Sequence, residues 1–188
     1  MQAELSVERG AEDPTLAVPW ADPELRWRYH DLRANPSAIA AIDEAQTHPE
    51  LREFLQALNA EHSALQTAKC DAWFTEEMTE EDAFFGASCK FGSYVDAFFQ
   101  VAAPRPSFPM HEAFGSRLVE LLKRAPELPA SFEAIIRRAH FEAREQVTEG
   151  LYFTLYNFGY GDDEQMARQA WGIALRLTAN AILQISSM

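Results

Sequence analysis

The chain has 188 residues, 47% of them hydrophobic and 12% aromatic, which suits one folded domain and argues against disorder. Its 29 acids against 16 bases leave a net charge of −13, so nucleic-acid backbones and anionic membranes would both repel it. Two cysteines, Cys70 and Cys89, make no disulfide framework and read as buried free thiols.

The first residues are acidic (Glu4, Glu8, Glu12) and lack the basic-then-apolar order of a secretory signal. No stretch reaches the roughly 18 unbroken apolar residues of a membrane span. Cytoplasmic location follows by default. Residues 1–22 carry Pro14 and Pro19 without helical period and read as an extended arm, with Trp20 docked on the body. Leu16, Val18 and Trp20 supply the chain's only suggestion of strand-like alternation.

The body, 23–188, reads as helices. Asp22 and Pro23 cap a short one to about Arg33, carrying Arg26, Arg28 and His30, whose charges are expected to pair with the chain's own acids. Pro36 and Ser37 open a second. Thr47, Pro49 and Glu50 begin a third, where Leu51, Phe54, Leu55, Leu58, His62 and Leu65 keep a three-four spacing that extends to about Met78. Thr79 and Asp82 form a capping-box variant that starts a new helix, or a kink, running to Ala103. Gly86 and Gly92 need a reason inside it, since glycine costs about 1 kcal/mol relative to alanine in a helix.

Pro104, Pro106 and Pro109 make the clearest loop. A helix from about Met110 to Arg124 follows, with Phe114, Leu118, Leu121 and Leu122 inward. Another is expected from Ser131 to Asn157, ended by a left-handed turn at Gly159 and Gly161. Asp162 then caps the last helix, Glu164 to Ser186, which is apolar over most of its circumference and so should be buried on several sides. The expectation is an all-α single-domain bundle of six or seven helices around a C-terminal helical hairpin.

Chemistry is sparse. His30, His48, His62, His111 and His140 include no pair four apart, and no carboxylate stands three residues before a histidine, so neither a zinc nor a di-iron pattern is present. No metal, cofactor or catalytic residue is assigned. Ser88 lacks the second glycine of a nucleophile elbow. Cys89 beside Lys90 reads as a packed thiol before a reactive one. Glu142, Glu145 and Glu149 share one face of the expected helix and read as solvated. The acids at 162–164 occupy the helix start where an anion would bind, so that end is capping.

Two features remain. Asp71, Glu76, Glu77, Glu80, Glu81 and Asp82 put six acids in twelve residues with no base among them, beside Trp73, Phe74, Phe84 and Phe85. Acids steer a basic partner and aromatics anchor it, so Trp73, Glu76, Glu77, Glu80, Glu81 and Asp82 are the expected site of a non-enzymatic protein that binds a basic protein, as an inhibitor or immunity protein would. The alternative is an apolar pocket between helices, lined by Phe84, Phe91, Tyr94, Phe98, Tyr152 and Tyr156, in a small-molecule sensor or a metal-independent enzyme. A helix-packed homodimer is a third reading.

Overall fold

The helix from Glu164 to Ser186 forms as its apolar circumference predicts, but what it rests on is a β-sheet. The computed structural model describes residues 1–24, 26–143 and 146–187. Among these residues the fold is mixed α/β, and the all-α bundle is overturned. Six strands form one sheet: β1 (Gln2–Val7), β2 (Thr15–Val18), β3 (Leu65–Thr75), β4 (Cys89–Phe99), β5 (Ala130–Ala143) and β6 (Gln146–Gly161). The helices are α1 (Asp43–Thr47), α2 (Pro49–Leu58), α3 (Phe108–Lys123) and α4 (Glu164–Ser186), with 3₁₀ turns at Pro36–Ala41 and Asp82–Phe85.

The sheet order is β1–β5–β6–β4–β3, and β2 also pairs with β5. β1 lies parallel to Ser131–Ile136 and β2 parallel to Arg138–Phe141, so the two short strands share one edge of β5. The expected arm is therefore an interrupted edge strand. Trp20 does dock: its indole N–H donates to the Ala68 carbonyl at 2.7 Å. The expected helix over 23–33 is absent among its described residues, and Leu25 lies outside them. The helix expected to run on to Met78 stops at Leu58, and the chain re-emerges as β3.

The helix expected over 131–157 is the antiparallel pair β5–β6 instead. Phe132, Ala134 and Ile136 face one side of β5, and Leu151, Phe153 and Leu155 the same side of β6, all buried beneath the helices. β4 contributes Phe91, Val95, Ala97 and Phe99 to that core. α4 runs over β4 and β6, flanked by α2 and α3. Trp171 at its centre is fully buried and donates from Nε1 to the Ser93 hydroxyl at 2.9 Å. Burying a side chain of that class contributes about 2–3 kcal/mol. The C-terminal hairpin of helices is thus a strand–helix pair, β6–α4.

Two glycines set that pair's spacing. A Cβ on Gly159 would fall 2.0 Å from the Trp171 backbone nitrogen, so β6 and α4 touch backbone to backbone there. Gly159 and Gly161 are strand residues, and among the described residues the positive-φ glycine is Gly86. Asp163, not Asp162, caps α4 by accepting from the Met166 N–H at 2.8 Å.

Candidate functional site

The helices cover one face of the sheet, and the other face is where the uncommitted side chains collect. In β4 the positions alternating with the core residues are Lys90, Gly92, Tyr94, Asp96 and Phe98. In β6 they are Tyr152, Thr154, Tyr156, Phe158 and Tyr160, because a strand turns successive side chains to opposite faces. One end of this face is closed by a second apolar cluster, in which Leu16, Val18, Phe98, Phe141 and Tyr152 pack with Trp20 and Tyr29.

The other end is open and carries four rings in a closed circuit. Trp73 meets Phe158 with centroids 6.0 Å apart and Tyr94 at 6.5 Å; Tyr156 meets Tyr94 and Phe158, each at 6.0 Å. Such separations suit offset and edge contacts between aromatic quadrupoles. Gly92 makes the circuit fit, since a Cβ there would lie 2.7 Å from the Phe158 ring and 3.1 Å from Trp73.

Beside the rings runs a polar chain. Glu8 accepts from Arg137 Nε at 2.7 Å, Arg137 Nη1 donates to Thr154 Oγ1 at 2.8 Å, and Thr154 donates to Asp96 Oδ1 at 2.7 Å. Asp96 is buried, and that burial raises its carboxyl to about 6, against the lowering effect of the Thr154 bond and of Lys69 and Arg137. Burial and the nearby charges of Asp96 and Asp71 also push the Tyr94 phenol upward.

The acidic segment between β3 and β4 folds against this face. Phe85 stacks on Tyr160 with centroids 3.9 Å apart, and Lys90 reaches Asp82 at 2.5 Å while lying 5.3 Å over the Phe158 ring. Thr79 and Asp82 bond reciprocally as the capping-box reading requires, but they close a local turn that leads into the 3₁₀ turn Asp82–Phe85, whose N-cap is Glu81, and no long helix follows. Burial alone would raise the Asp82 carboxyl. The Lys90 ammonium and the Thr79 N–H outweigh it and hold the group at about 2.

The expected partner-binding residues divide accordingly. Glu76, Glu77, Glu80 and Glu81 are exposed and, among the described residues, form no ion pair. Trp73 is half-buried in the aromatic circuit. Asp82 is buried in its own ion pair. The expected pocket residues do not come together, because they are not on helices. Tyr94 and Tyr156 meet on the open face, Phe98 and Tyr152 lie in the closed cluster, Phe91 packs under α4 against Trp171, and Phe84 is 76% exposed. Phe158 and Asp96 belong to the site, and Asp96 was not singled out from the sequence. A lone acid between Val95 and Ala97 in an apolar run was the available signal for Asp96.

The remaining candidates are structural. Cys89 is buried, donates to the Gly161 carbonyl at 3.3 Å, and has its thiol pushed up by burial, while Lys90 points to the opposite face. Glu142 and Glu149 are exposed on neighbouring strands, and Glu145 lies outside the described residues. Among the described residues no group of three or more His, Cys, Asp or Glu is placed to hold a metal, and no helix is long and apolar enough to cross a membrane. Comparison with protein-family models, curated proteins and solved structures returns no match to this chain.

Proposed function

We propose that the protein binds a basic protein partner through the open end of the sheet face and the acidic segment beside it. The observation that carries this reading is the Phe85–Tyr160 stack, which holds Glu76, Glu77, Glu80 and Glu81 next to the aromatic circuit. Four carboxylates that form no ion pair among the described residues supply long-range attraction, and the rings supply contact area once water is expelled. Phe84, 76% exposed, and Phe74, 37% exposed, extend the apolar part to the rim. An inhibitor of a basic protein is the concrete form the reading takes.

The test is a panel of small proteins of graded isoelectric point titrated against the chain at low and high salt. Basic members bind, the affinity falls as salt rises, and changing all four of Glu76, Glu77, Glu80 and Glu81 to glutamine weakens it. Equal binding of acidic and basic members, or no effect of the four changes, defeats the reading.

A second reading is favoured by a cleft of about 370 Å³ beside β3, lined by Trp20, Trp27, Lys69, Asp71 and Tyr94 among others. Its walls combine indole faces with charges of both signs, which suits a small zwitterionic or aromatic ligand. Saturable thermal stabilisation by such compounds, lost on Trp27→Ala, supports it, and a flat screen removes it.

A further inference from the structure

We propose that the outer edge of β3, from Cys70 to Phe74, accepts an extended basic segment of the partner as an added strand. β3 ends the sheet order and pairs only with β4 among the described strands. The register from Lys69↔Asp96 to Thr75↔Lys90 runs without interruption. The Ala72 N–H bonds to the Asp71 carboxylate at 2.8 Å and so is not used in the ladder. In an antiparallel strand the N–H and C=O of one residue point to the same side, and alternate residues agree. Cys70 and Phe74 therefore share the outward direction of Ala72. No hydrogen bond from a described residue covers their outward groups.

The two halves of this edge differ. The first half is closed in the manner of protected edges, by a bulge between Thr67 and Lys69 and by the Trp20 indole on the Ala68 carbonyl. On the second half, among the described residues, the one hydrogen bond to an outward group is that of the Asp71 carboxylate, which a competing strand can displace. An incoming strand exchanges its backbone groups with Cys70, Ala72 and Phe74 and sends alternate side chains to the two faces. Those on the open face meet Asp71 and Trp73, so lysine or arginine fits there, by charge and over the indole. Those on the other face meet Ala72 and Phe74, so they are small and apolar.

Asp43 and Glu44 flank the edge at one end, in a cleft that Arg26 and Arg28 also line, and Glu76 and Glu77 continue it at the other. Lys69 is the one adverse charge on β3, and its ammonium already sits over the Trp20 ring at 5.4 Å. A second copy of the chain is the wrong occupant, since pairing β3 with itself brings two sets of these acids together. The inference rests on the basic-partner reading above and adds the shape of what binds.

The experiment uses a decapeptide of alternating lysine and valine, followed by anisotropy at low salt against the whole chain. Its comparators are the same peptide N-methylated at alternate backbone nitrogens and an alternating glutamate–valine peptide. The parent binds, each comparator binds about tenfold or more weakly, and the amides of Cys70, Ala72 and Phe74 exchange more slowly in the complex. Ala72→Pro abolishes this binding; if that variant fails to fold, the N-methylated peptide carries the same comparison. If parent and N-methylated peptides bind alike and the four-glutamine variant weakens both, strand addition is overturned while the basic-partner reading stands. Equal binding of the lysine and glutamate peptides overturns both. No binding of the parent at millimolar concentration overturns strand addition. A dimer that Ala72→Pro converts to monomer assigns the edge to a second copy instead.

Discussion

Thr154 donates its hydroxyl to the buried carboxyl of Asp96 across 2.7 Å, in the middle of the sheet face that no helix covers. The same hydroxyl accepts from Arg137, and Glu8 neutralises that guanidinium from the far side. Among the described residues Asp96 thus has one neutral donor and no direct cationic partner, and desolvation decides its titration.

A pH dependence of unusual sign follows. Burial raises the Asp96 carboxyl to about 6 in the folded chain from an ordinary 3.8. Between those values the folded form binds more protons than the unfolded form, so this group's contribution declines as pH rises and levels off above about 6. Asp96→Asn keeps an acceptor for Thr154 and removes the titration. The variant should match the native chain near pH 4 and exceed it by ~2–3 kcal/mol near pH 8, at ~1.4 kcal/mol per pKa unit. Urea unfolding at both pH values measures this, and an equal difference at the two would refute it.

Asp82 should behave in the opposite way. Its carboxyl is held at about 2 in the folded chain, below its ordinary 3.8, by Lys90 and Thr79. The stability it brings is present above about pH 4 and is lost as pH falls towards 2. Asp82→Asn leaves the Lys90 ammonium, itself 12% exposed, without its counter-charge. The expected cost is ~1–3 kcal/mol at pH 7 and little at pH 2, read as a denaturant midpoint difference that closes on acidification. A gap that persists at pH 2 would mean the ion pair is not its source.

How far the sequence carried this fold depends on which period each segment shows. α4 and α3 were readable because their apolar residues recur in threes and fours. The Thr79–Asp82 cap was readable because its chemistry is local. β6 was not, since Leu151, Phe153 and Leu155 face the core while Tyr152, Tyr156 and Phe158 face the other side. Both sides are apolar or aromatic, and the polar alternation that marks a half-exposed strand is missing. β3 hid for another reason. Its bulge shifts the alternation at Ala68, and Gln66, Ala68, Lys69 and Ala72 are helix-compatible residues that extend the pattern of α2. Of the site, the acidic run and Trp73 were visible as composition. The meeting of Trp73 with Phe158, 85 positions later, exists only through the β3–β4–β6 register.

The contact between β6 and α4 can be tested at one atom. A methyl at Gly159 would overlap backbone atoms of Trp171, Ala167 and Ala170, none of which can rotate away. Gly159→Ala should therefore lift α4 and cost ~3 kcal/mol or more, near the upper end for overpacking. Gly86 is the comparison. Its φ is +61°, but nothing lies within 4 Å of the added carbon, so Gly86→Ala should cost only ~1 kcal/mol of backbone strain. Thermal and urea unfolding of the two variants settle the order, and equal costs would contradict the backbone contact.

Phe84 and Phe85 separate binding from folding. They are adjacent, but Phe85 stacks on Tyr160 while Phe84 stands 76% exposed and touches Phe85 edge-on at 5.4 Å. Phe84→Ser removes apolar surface that folding never buried, so stability should stay within ~0.5 kcal/mol. If Phe84 is an anchor for a basic partner, the same change weakens the alternating lysine–valine peptide or a basic protein by about tenfold, as expected of an interface aromatic. Phe85→Ser should act through the fold instead. It frees the acidic segment from the sheet face, so its effect on binding comes with faster exchange of the Asp82–Phe85 amides. A Phe84→Ser variant that loses stability but not affinity would reverse the two roles and remove Phe84 from the binding face.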